Sequence, residues 1–204
     1  MSRCVIVGGA DIENYERLIK TFLKSDYFIF CDSGLKHLEK LNVKPNLIVG
    51  DFDSFELPKT DIKTIKLPCE KDDTDTFFAV KTALKQGFCD FLIIGVTGQR
   101  LDHTLANISM LKYLQNKQAK GVILDDYSEI FLLEKSCKIA KGECKYFSII
   151  ALSEKLEGLN INGAKYELEN ATIENSFQLG VSNEPENDTL ITLEKGDALI
   201  VKVF

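Results

Sequence analysis

The segment Leu47-Ile48-Val49-Gly50-Asp51-Phe52-Asp53-Ser54 joins an apolar run to two acidic residues spaced two apart. The apolar run is typical of a buried β-strand, and Gly50 lets the backbone turn or approach a ligand closely. If the strand continues through Asp53, its period of two places Asp51 and Asp53 on one face. Because neighbouring carboxylates repel, a cation between them is one explanation, and ligation by oxygen alone favours magnesium. A polar turn in which Asp and Ser cap the next segment is the slightly simpler explanation for this segment taken alone.

Outward from this segment, the first part of the chain alternates strand-like and helix-like runs. The apolar runs predict strands over residues 4–7, 27–31, 47–49, 62–67, 91–94 and 122–124. Helical spacing predicts helices over residues 12–22, 33–41 (with Ser33 as its cap), 73–86 and 105–114. This alternation predicts an α/β fold, a doubly wound and mainly parallel sheet with helices on both faces.

Beyond Asp125 the pattern changes to short β-rich runs separated by Gly, Asn and Glu-Lys turns. These runs cover residues 129–133, 146–152, 166–173, 189–193 and 198–204. Such spacing predicts an antiparallel, all-β second domain of the sandwich type. We therefore expect an α/β domain over residues 1–130 and a β-sandwich domain over residues 131–204, with the boundary between Asp126 and Ser136.

Composition narrows the function classes. The net charge of −6 argues against a general nucleic-acid binder, although not against a nucleotide substrate whose charge a metal balances. We find neither a signal peptide before the first strand nor an apolar run of the roughly 18 residues that a membrane span needs, so we expect no membrane partner and a cytoplasmic protein. Six scattered cysteines without a Cys-x-x-Cys pair, and two histidines, argue against a disulfide framework or a zinc site.

A second acidic loop, Glu70 to Asp75, follows a predicted strand and runs into a helix. Asp73 or Thr74 can serve as the N-cap of that helix, and acids in the first turn complement the helix dipole. Capping accounts less well for so many adjacent acids, whose repulsion a metal would relieve. Lys71 in the same loop can face a phosphate.

The third loop, Gly95 to His103, follows the predicted strand 91–94. Its glycines leave backbone N–H groups accessible to phosphate, and Arg100 offers a bidentate guanidinium. Asp102 can join a metal site or orient Arg100. His103 can begin the helix, donate to phosphate or act as a base, and a lone histidine is more often structural. Gly8-Gly9, after the first strand, is best explained as a tight turn.

These loops are more informative together than singly. In open α/β sheets, the loops beyond the carboxyl ends of the strands share one crevice, where ligands bind. Carboxylates for magnesium and a guanidinium for phosphate would converge there: Asp51, Asp53, Asp75, Asp102 and Arg100. Such a set suits phosphoryl-type transfer, which depends on positioning and charge neutralisation more than on a reactive side chain.

The same motifs resemble those of the thiamine pyrophosphokinase (thiamine diphosphokinase) family. That family combines a Gly-Asp-Phe-Asp-Ser block, a Thr-Asp pair that opens a helix, a Gly-x-Arg-apolar-Asp-His block and a late Ser-Asn. In this chain they are residues 50–54, 74–75, 98–103 and 182–183, in the family's order across nearly the whole sequence.

The resemblance implies an ATP-binding first domain, a thiamine-binding β-sandwich and a homodimer with active sites between its subunits. It implies transfer of the pyrophosphoryl group of ATP to thiamine, with Mg²⁺ as cofactor and AMP as second product. The carboxylates of Asp51, Asp53, Asp75 and Asp102 would organise magnesium and phosphate and, with Arg100, form the catalytic set. Asp32, Lys71, Arg100 and His103 would contact the nucleotide, and Ser182 and Asn183 would contact thiamine, unless this pair is a β-turn between strands.

Two departures from the family pattern stand out. Where the family often has Asp-Gly-Gly after the second strand, this chain has Asp32-Ser33-Gly34, which leaves the local backbone path open. The chain also lacks Trp, so aromatic packing on thiamine falls to Phe or Tyr, with Phe177 a candidate by position.

Two other functions compete with this reading. One is a different magnesium-dependent phosphotransferase or a haloacid-dehalogenase-like phosphatase. The phosphatase would need an Asp-x-Asp motif after the first strand, and residues 4–9 lack it. The other is a non-catalytic thiamine or nucleotide sensor of the same fold, which we would expect to have lost the metal-binding carboxylates.

Overall fold

The computed structural model describes residues 2–52, 61–68, 70, 72–98, 100–177 and 179–204. The chain divides into two compact units, Met1–Asp126 and Tyr127–Phe204. We call them the first and the second unit. Among the described residues, none of the helices combines the length and the apolar character that crossing a membrane requires.

The first unit contains a parallel sheet with the strand order β4-β3-β2-β1-β5-β6. The register aligns the carboxyl ends of β1, β2 and β5, with Val7 opposite both Phe30 and Ile94. Loops that leave these strands therefore emerge at one edge of the sheet. The strands are β1 (Cys4–Val7), β2 (Tyr27–Cys31), β3 (Leu47–Gly50), β4 (Thr64–Lys66), β5 (Asp90–Ile94) and β6 (Lys120–Leu124).

Helices cover both faces of this sheet, because both faces are apolar. Val5 and Phe30 pack in one cluster with Leu18 and Leu41, while residues that alternate with them, such as Ile6, are equally buried. The helices α3 and α4 contact strands of the sheet. This confirms the predicted α/β fold. The helices are α1 (Tyr15–Ile19), a 3₁₀ helix (Asp32–His37), α2 (Leu38–Leu41), α3 (Asp75–Lys85) and α4 (Leu101–Asn116).

The second unit is a sandwich of two antiparallel sheets, with strand orders β7-β13-β9 and β11-β10-β12-β8. Phe147 and Ile200 from the first of these sheets share one core with Leu159 and Ile191 from the second. The all-β prediction is confirmed. The strands are β7 (Ser128–Leu133), β8 (Ser136–Ile139), β9 (Tyr146–Ala151), β10 (Lys155–Ala164), β11 (Leu168–Glu174), β12 (Pro185–Thr192) and β13 (Ala198–Val203).

Two of these strands, β8 and β10, were not predicted from the sequence. In β10, Gly158 and Gly163 look like turn residues, but each lies at a register shift in the pairing of this strand. Their positive φ angles of 68° and 84° fit β-bulges, where an extra residue is accommodated without ending the strand. The glycines thus bend β10 rather than terminate it.

Two helix predictions were wrong in detail. Helix α1 is shorter than residues 12–22, because the side chain of Asn14 accepts a hydrogen bond from the Arg17 N–H and caps the helix there. Ser33 caps no helix, since it lies inside the 3₁₀ helix that starts directly after β2.

The loop after β1 is fastened to this 3₁₀ helix. A Cβ atom on Gly9 would lie 1.8 Å from Ser33 Oγ, so the serine hydroxyl occupies the space that a side chain at position 9 would need. Buried His37 binds the same loop, since its Nε2 lies 2.8 Å from the Ala10 carbonyl oxygen. A carbonyl oxygen only accepts, so Nε2 carries the hydrogen and Nδ1 accepts from the Tyr15 hydroxyl at 2.7 Å.

We expect Gly9→Ala to lower the free energy of unfolding by roughly 1–3 kcal/mol, the usual cost of an overpacked site. Adding Ser33→Gly should recover most of this loss, because it removes Oγ and Cβ, the two atoms nearest to the new methyl group. Urea denaturation of the two single variants and the double variant measures both effects, with Ser33→Gly alone as the control. Equal loss with and without Ser33 would show that the serine is not the obstacle.

His37 should make stability depend on pH. Burial lowers the pKa of His37, so between that pKa and about 6.5 the unfolded chain binds more protons than the folded one. Stability should therefore fall as the pH drops below about 6.5, by at most about 1.4 kcal/mol per pH unit. Urea denaturation at pH 7.5 and 5.5 should show a smaller difference in His37→Gln than in the wild type. The same difference in both proteins would contradict this role of His37.

Candidate active site

Three carboxylates meet at the carboxyl edge of the parallel sheet. Asp32 follows β2, Asp51 follows β3, and Asp75 is the first residue of α3. One ligand oxygen from each lies within 4.8 Å of the others. Asp32 is 7% exposed, and the other two are partly buried. An all-oxygen set of this kind matches the preference of hard divalent cations.

The position of Asp32 depends on Gly50. A Cβ atom on Gly50 would lie 2.9 Å from the Cβ of Asp32 and 3.0 Å from its Cα, so a side chain at position 50 would push Asp32 away. The backbone of Asp32 also has a φ of 24°, an uncommon angle for a non-glycine residue. The lack of a side chain at Gly50 therefore lets Asp32 lie beside Asp51.

In the described residues, β3 covers the predicted apolar run and one residue more. It ends at Gly50, and Phe52 has a left-handed φ of 58°, so the two-residue alternation stops there. The predicted placement of Asp51 and Asp53 on one strand face stays a prediction, because it depends on Asp53. Asp53 lies outside the described residues, as does Lys71.

The start of α3 sorts the acids of the second loop. Thr74 is the N-cap, since its Oγ1 accepts a hydrogen bond from the Phe77 N–H at 3.2 Å. Asp73 forms an ion pair with Lys81, with Nζ and Oδ2 2.6 Å apart. Of the described acids in this loop, Asp75 is the one that joins the carboxylate group.

A pocket of about 460 Å³ surrounds the carboxylates. The loops after β1, β2, β3 and β5 and the first turns of α3 and α4 line it, as expected for the crevice of an open α/β sheet. Its side chains include the predicted residues Asp32, Asp51, Asp75, Arg100 and His103, together with Asp11, Cys31, Ser33, Lys36, Thr97 and Asn107.

Arg100 and Asp102 form a bidentate ion pair at the start of α4. Arg100 Nε donates to Asp102 Oδ1 at 3.0 Å, and Nη2 donates to Oδ2 at 2.7 Å. The hydrogen bond from Arg100 lowers the pKa of the Asp102 carboxyl well below its usual range. Asp102 is not part of the carboxylate group formed by the described residues, and Arg100 lines the pocket while its partner does not. The structure thus favours Asp102 as a group that orients Arg100.

Cys31 lines the pocket, but its thiol is poorly suited to act as a nucleophile. Burial raises the pKa of the Cys31 thiol, and the charge of Asp75 raises it further. Since the thiolate is the reactive form, Cys31 stays protonated and inert.

Several pocket residues were missed by the sequence argument. Gly8-Gly9 was interpreted as a simple turn, yet Gly9, Ala10 and Asp11 line the pocket. Asn107 donates to the Val96 carbonyl at 2.8 Å and is buried. Thr97 donates to Asp125 at 2.9 Å. Two sequence features could have pointed to these pocket residues: the polar Asn107 within a predicted helix, and the glycine pair after the first strand.

Ser182 and Asn183 lie in the second unit, where Asn183 is 5% exposed. Its Nδ2 donates to the Tyr166 carbonyl at 2.8 Å, and its Oδ1 accepts from the N–H groups of Tyr166 and Glu184. Ser182 is exposed, with a φ of 60°, and its N–H donates to Ser148 Oγ. In this structure the Asn183 amide holds backbone segments together. Phe177, the aromatic candidate, is 65% exposed.

Two family models match most of the chain. The family described as "Thiamin pyrophosphokinase, catalytic domain" matches residues 18–123, and "Thiamin pyrophosphokinase, vitamin B1 binding domain" matches residues 136–197. A thiamine pyrophosphokinase of Bacillus subtilis (strain 168) is 32% identical over 165 residues, which cover 77% of each chain.

Solved structures agree in fold. The crystal structure of a thiamine pyrophosphokinase from Bacillus subtilis has a TM-score of 0.88 at 26% identity and covers 99% of each chain. That of a thiamin pyrophosphokinase family protein from Enterococcus faecalis has a TM-score of 0.81 at 28% identity, over 100% of this chain and 99% of the other. Together, the matched sequence, the shared fold and the motifs at the carboxyl edge of the sheet show that this chain belongs to the thiamin pyrophosphokinase family.

Proposed function

We propose that the pocket of the first unit is where this chain performs the reaction of its family. In that reaction the hydroxyethyl oxygen of thiamine attacks the β-phosphorus of ATP, and the bond between this phosphorus and the oxygen bridging it to the α-phosphorus breaks. The products are thiamine diphosphate, AMP and the proton of the hydroxyl group. The meeting of Asp32, Asp51 and Asp75 in a pocket that also presents Arg100 and Lys36 is the observation that supports this proposal.

The donor set fits Mg²⁺. Three carboxylate oxygens within 4.8 Å of one another offer hard ligands only, and their mutual repulsion decreases when a divalent cation is present. We propose that Asp32, Asp51 and Asp75 hold the metal, with Asp53 as a further ligand from beyond the described residues. When bound, Mg²⁺ would neutralise charge on the phosphate oxygens and polarise the phosphorus under attack.

The cationic side chains orient the nucleotide. Arg100 presents a planar fork at the start of α4, where backbone N–H groups also favour anions. Asp102 is proposed to hold this fork in place, and His103, the next residue, is proposed to contact phosphate. Lys71, outside the described residues, is proposed as a further phosphate contact.

A carboxylate is proposed to accept the proton of the thiamine hydroxyl. Asp102 suits this role poorly, since the hydrogen bond from Arg100 lowers the pKa of its carboxyl. Asp75 lines the pocket and is the better candidate, through the carboxylate oxygen that is not used for the metal. Because thiamine is itself a cation, the acidic pocket also favours its approach.

The second unit is proposed to bind thiamine, in keeping with the family match over residues 136–197. Ser182 is exposed and can reach a ligand, whereas Asn183 would act by fixing the backbone around it. A homodimer with active sites between subunits, a cytoplasmic location and the lack of nucleic-acid and membrane partners also belong to this proposal. A non-catalytic sensor is not favoured, because the carboxylates are retained.

The product assay tests the reaction directly. The purified chain with ATP, thiamine and MgCl₂ should release AMP and thiamine diphosphate in equal amounts, and EDTA should stop both. Chromatographic separation of the nucleotides measures this outcome, with thiamine omitted as the control. Formation of ADP or free phosphate in place of AMP would contradict pyrophosphoryl transfer.

Removing charge from the carboxylate group should abolish turnover. We expect Asp51→Asn and Asp75→Asn each to lower kcat/KM by at least about 100-fold, because the substitution removes a charge that organises metal and phosphate at nearly constant shape. The control is Asp90→Asn, since Asp90 is exposed at the opposite end of β5. Steady-state kinetics with retained thermal stability measures the effect, and wild-type turnover in either site variant would rule that residue out.

A further inference from the structure

The loop after β1 and the 3₁₀ helix after β2 meet at three successive points. Gly9 packs against Ser33, and the Ala10 carbonyl accepts from His37. The third contact is an ion pair, in which Lys36 Nζ lies 2.7 Å from Asp11 Oδ1. The first two contacts fix the backbones, so the ion pair is held at a defined place beside the pocket.

Both partners of this ion pair line the pocket. The side chain of Lys36 is 37% exposed and that of Asp11 is 70% exposed, so water competes for both charges. Exposed ion pairs of this kind add little to stability, and opening one therefore costs little. The pair is thus a weak hold on Lys36.

The pocket has two kinds of cation-carboxylate pair. Arg100 is paired with Asp102, which does not line the pocket, so a phosphate and Asp102 can bind the guanidinium from different sides. Asp11, in contrast, lies in the lining itself. A phosphate chain that enters the pocket would repel Asp11 and attract Lys36, whose flexible stem and three donors suit such an exchange.

We propose that Lys36 binds the phosphate chain of the nucleotide, and that Asp11 is a positioning residue that holds Lys36 at the pocket until phosphate displaces it. This inference rests on the proposed function, because it assumes that the pocket takes a polyphosphate. It adds Lys36 to the proposed phosphate contacts. It also assigns a role to the loop after β1, which lies outside the motifs at residues 50–54, 74–75, 98–103 and 182–183.

Calorimetric titration of the full chain with magnesium tripolyphosphate tests the proposal without requiring turnover. Lys36→Gln should raise Kd about tenfold, while Lys36→Arg should stay within about threefold of the wild type because it keeps the charge. Asp11→Asn should lower Kd about threefold, since the anion no longer has to displace a carboxylate. The matched control is Lys20→Gln, which breaks the exposed Lys20–Glu16 pair in the same unit and should leave Kd unchanged.

Two results would overturn the proposal. The Kd of Lys36→Gln could equal that of the control Lys20→Gln, which would mean that Lys36 does not contact phosphate. Asp11→Asn could weaken binding as much as Lys36→Gln, which would show that the pair acts as one structural link. If tripolyphosphate binds the wild type but not the Asp51→Asn variant, the pocket is a phosphate site. Either result then contradicts only the role of Lys36 and leaves the proposed function intact. A wild type that binds no tripolyphosphate contradicts the proposed function as well.

Discussion

Repulsion between carboxylates is the constraint around which the first unit is built. At an effective dielectric constant of about 20, two unit charges separated by 4.8 Å repel by roughly 3 kcal/mol, and Asp32, Asp51 and Asp75 form three such pairs. The parallel sheet imposes this arrangement, since Phe30 and Ile48 anchor β2 and β3 in the core. The core thus holds three carboxylates close together, an arrangement that is useful when a cation and a polyphosphate are bound.

Four other acids of the first unit have a different kind of contact. Asp26 accepts from Arg3 at 2.7 Å, and Asp73, Asp102 and Asp11 each have a lysine or arginine within the same range. In each of these contacts one carboxylate meets one cationic side chain. Asp32, Asp51 and Asp75 are distinguished by their mutual proximity, with one oxygen of each within 4.8 Å of the others, and this clustering marks the proposed metal site.

The sequence predicted those parts of the fold that depend on local pattern. Continuous apolar runs identified the strands of the parallel sheet, and Asp73 and Thr74 were both candidate caps of α3, of which the structure has Thr74. The place of Asp32 was less predictable, because it depends on the contact between its backbone and Gly50, which is distant in sequence. The strand β10 was missed for a similar reason, since glycines in bulges cannot be told from glycines in turns without knowledge of the neighbouring strands. The buried amide of Asn183, likewise, follows from the packing around it and not from its motif.

Because Gly9 contacts Ser33, the residues that are compatible with the fold at these two positions depend on each other. As long as the hydroxymethyl group of Ser33 occupies the space beside Gly9, a larger residue at position 9 is unfavourable. Glycine at position 33, as in the Asp-Gly-Gly pattern that the family often shows, would lack the Oγ and Cβ atoms that a side chain at position 9 meets first. In this chain, a larger residue at position 9 therefore costs less stability after Ser33 has been replaced than before. The order in which the two positions change, and not only the residues introduced, therefore affects the stability of this part of the pocket lining.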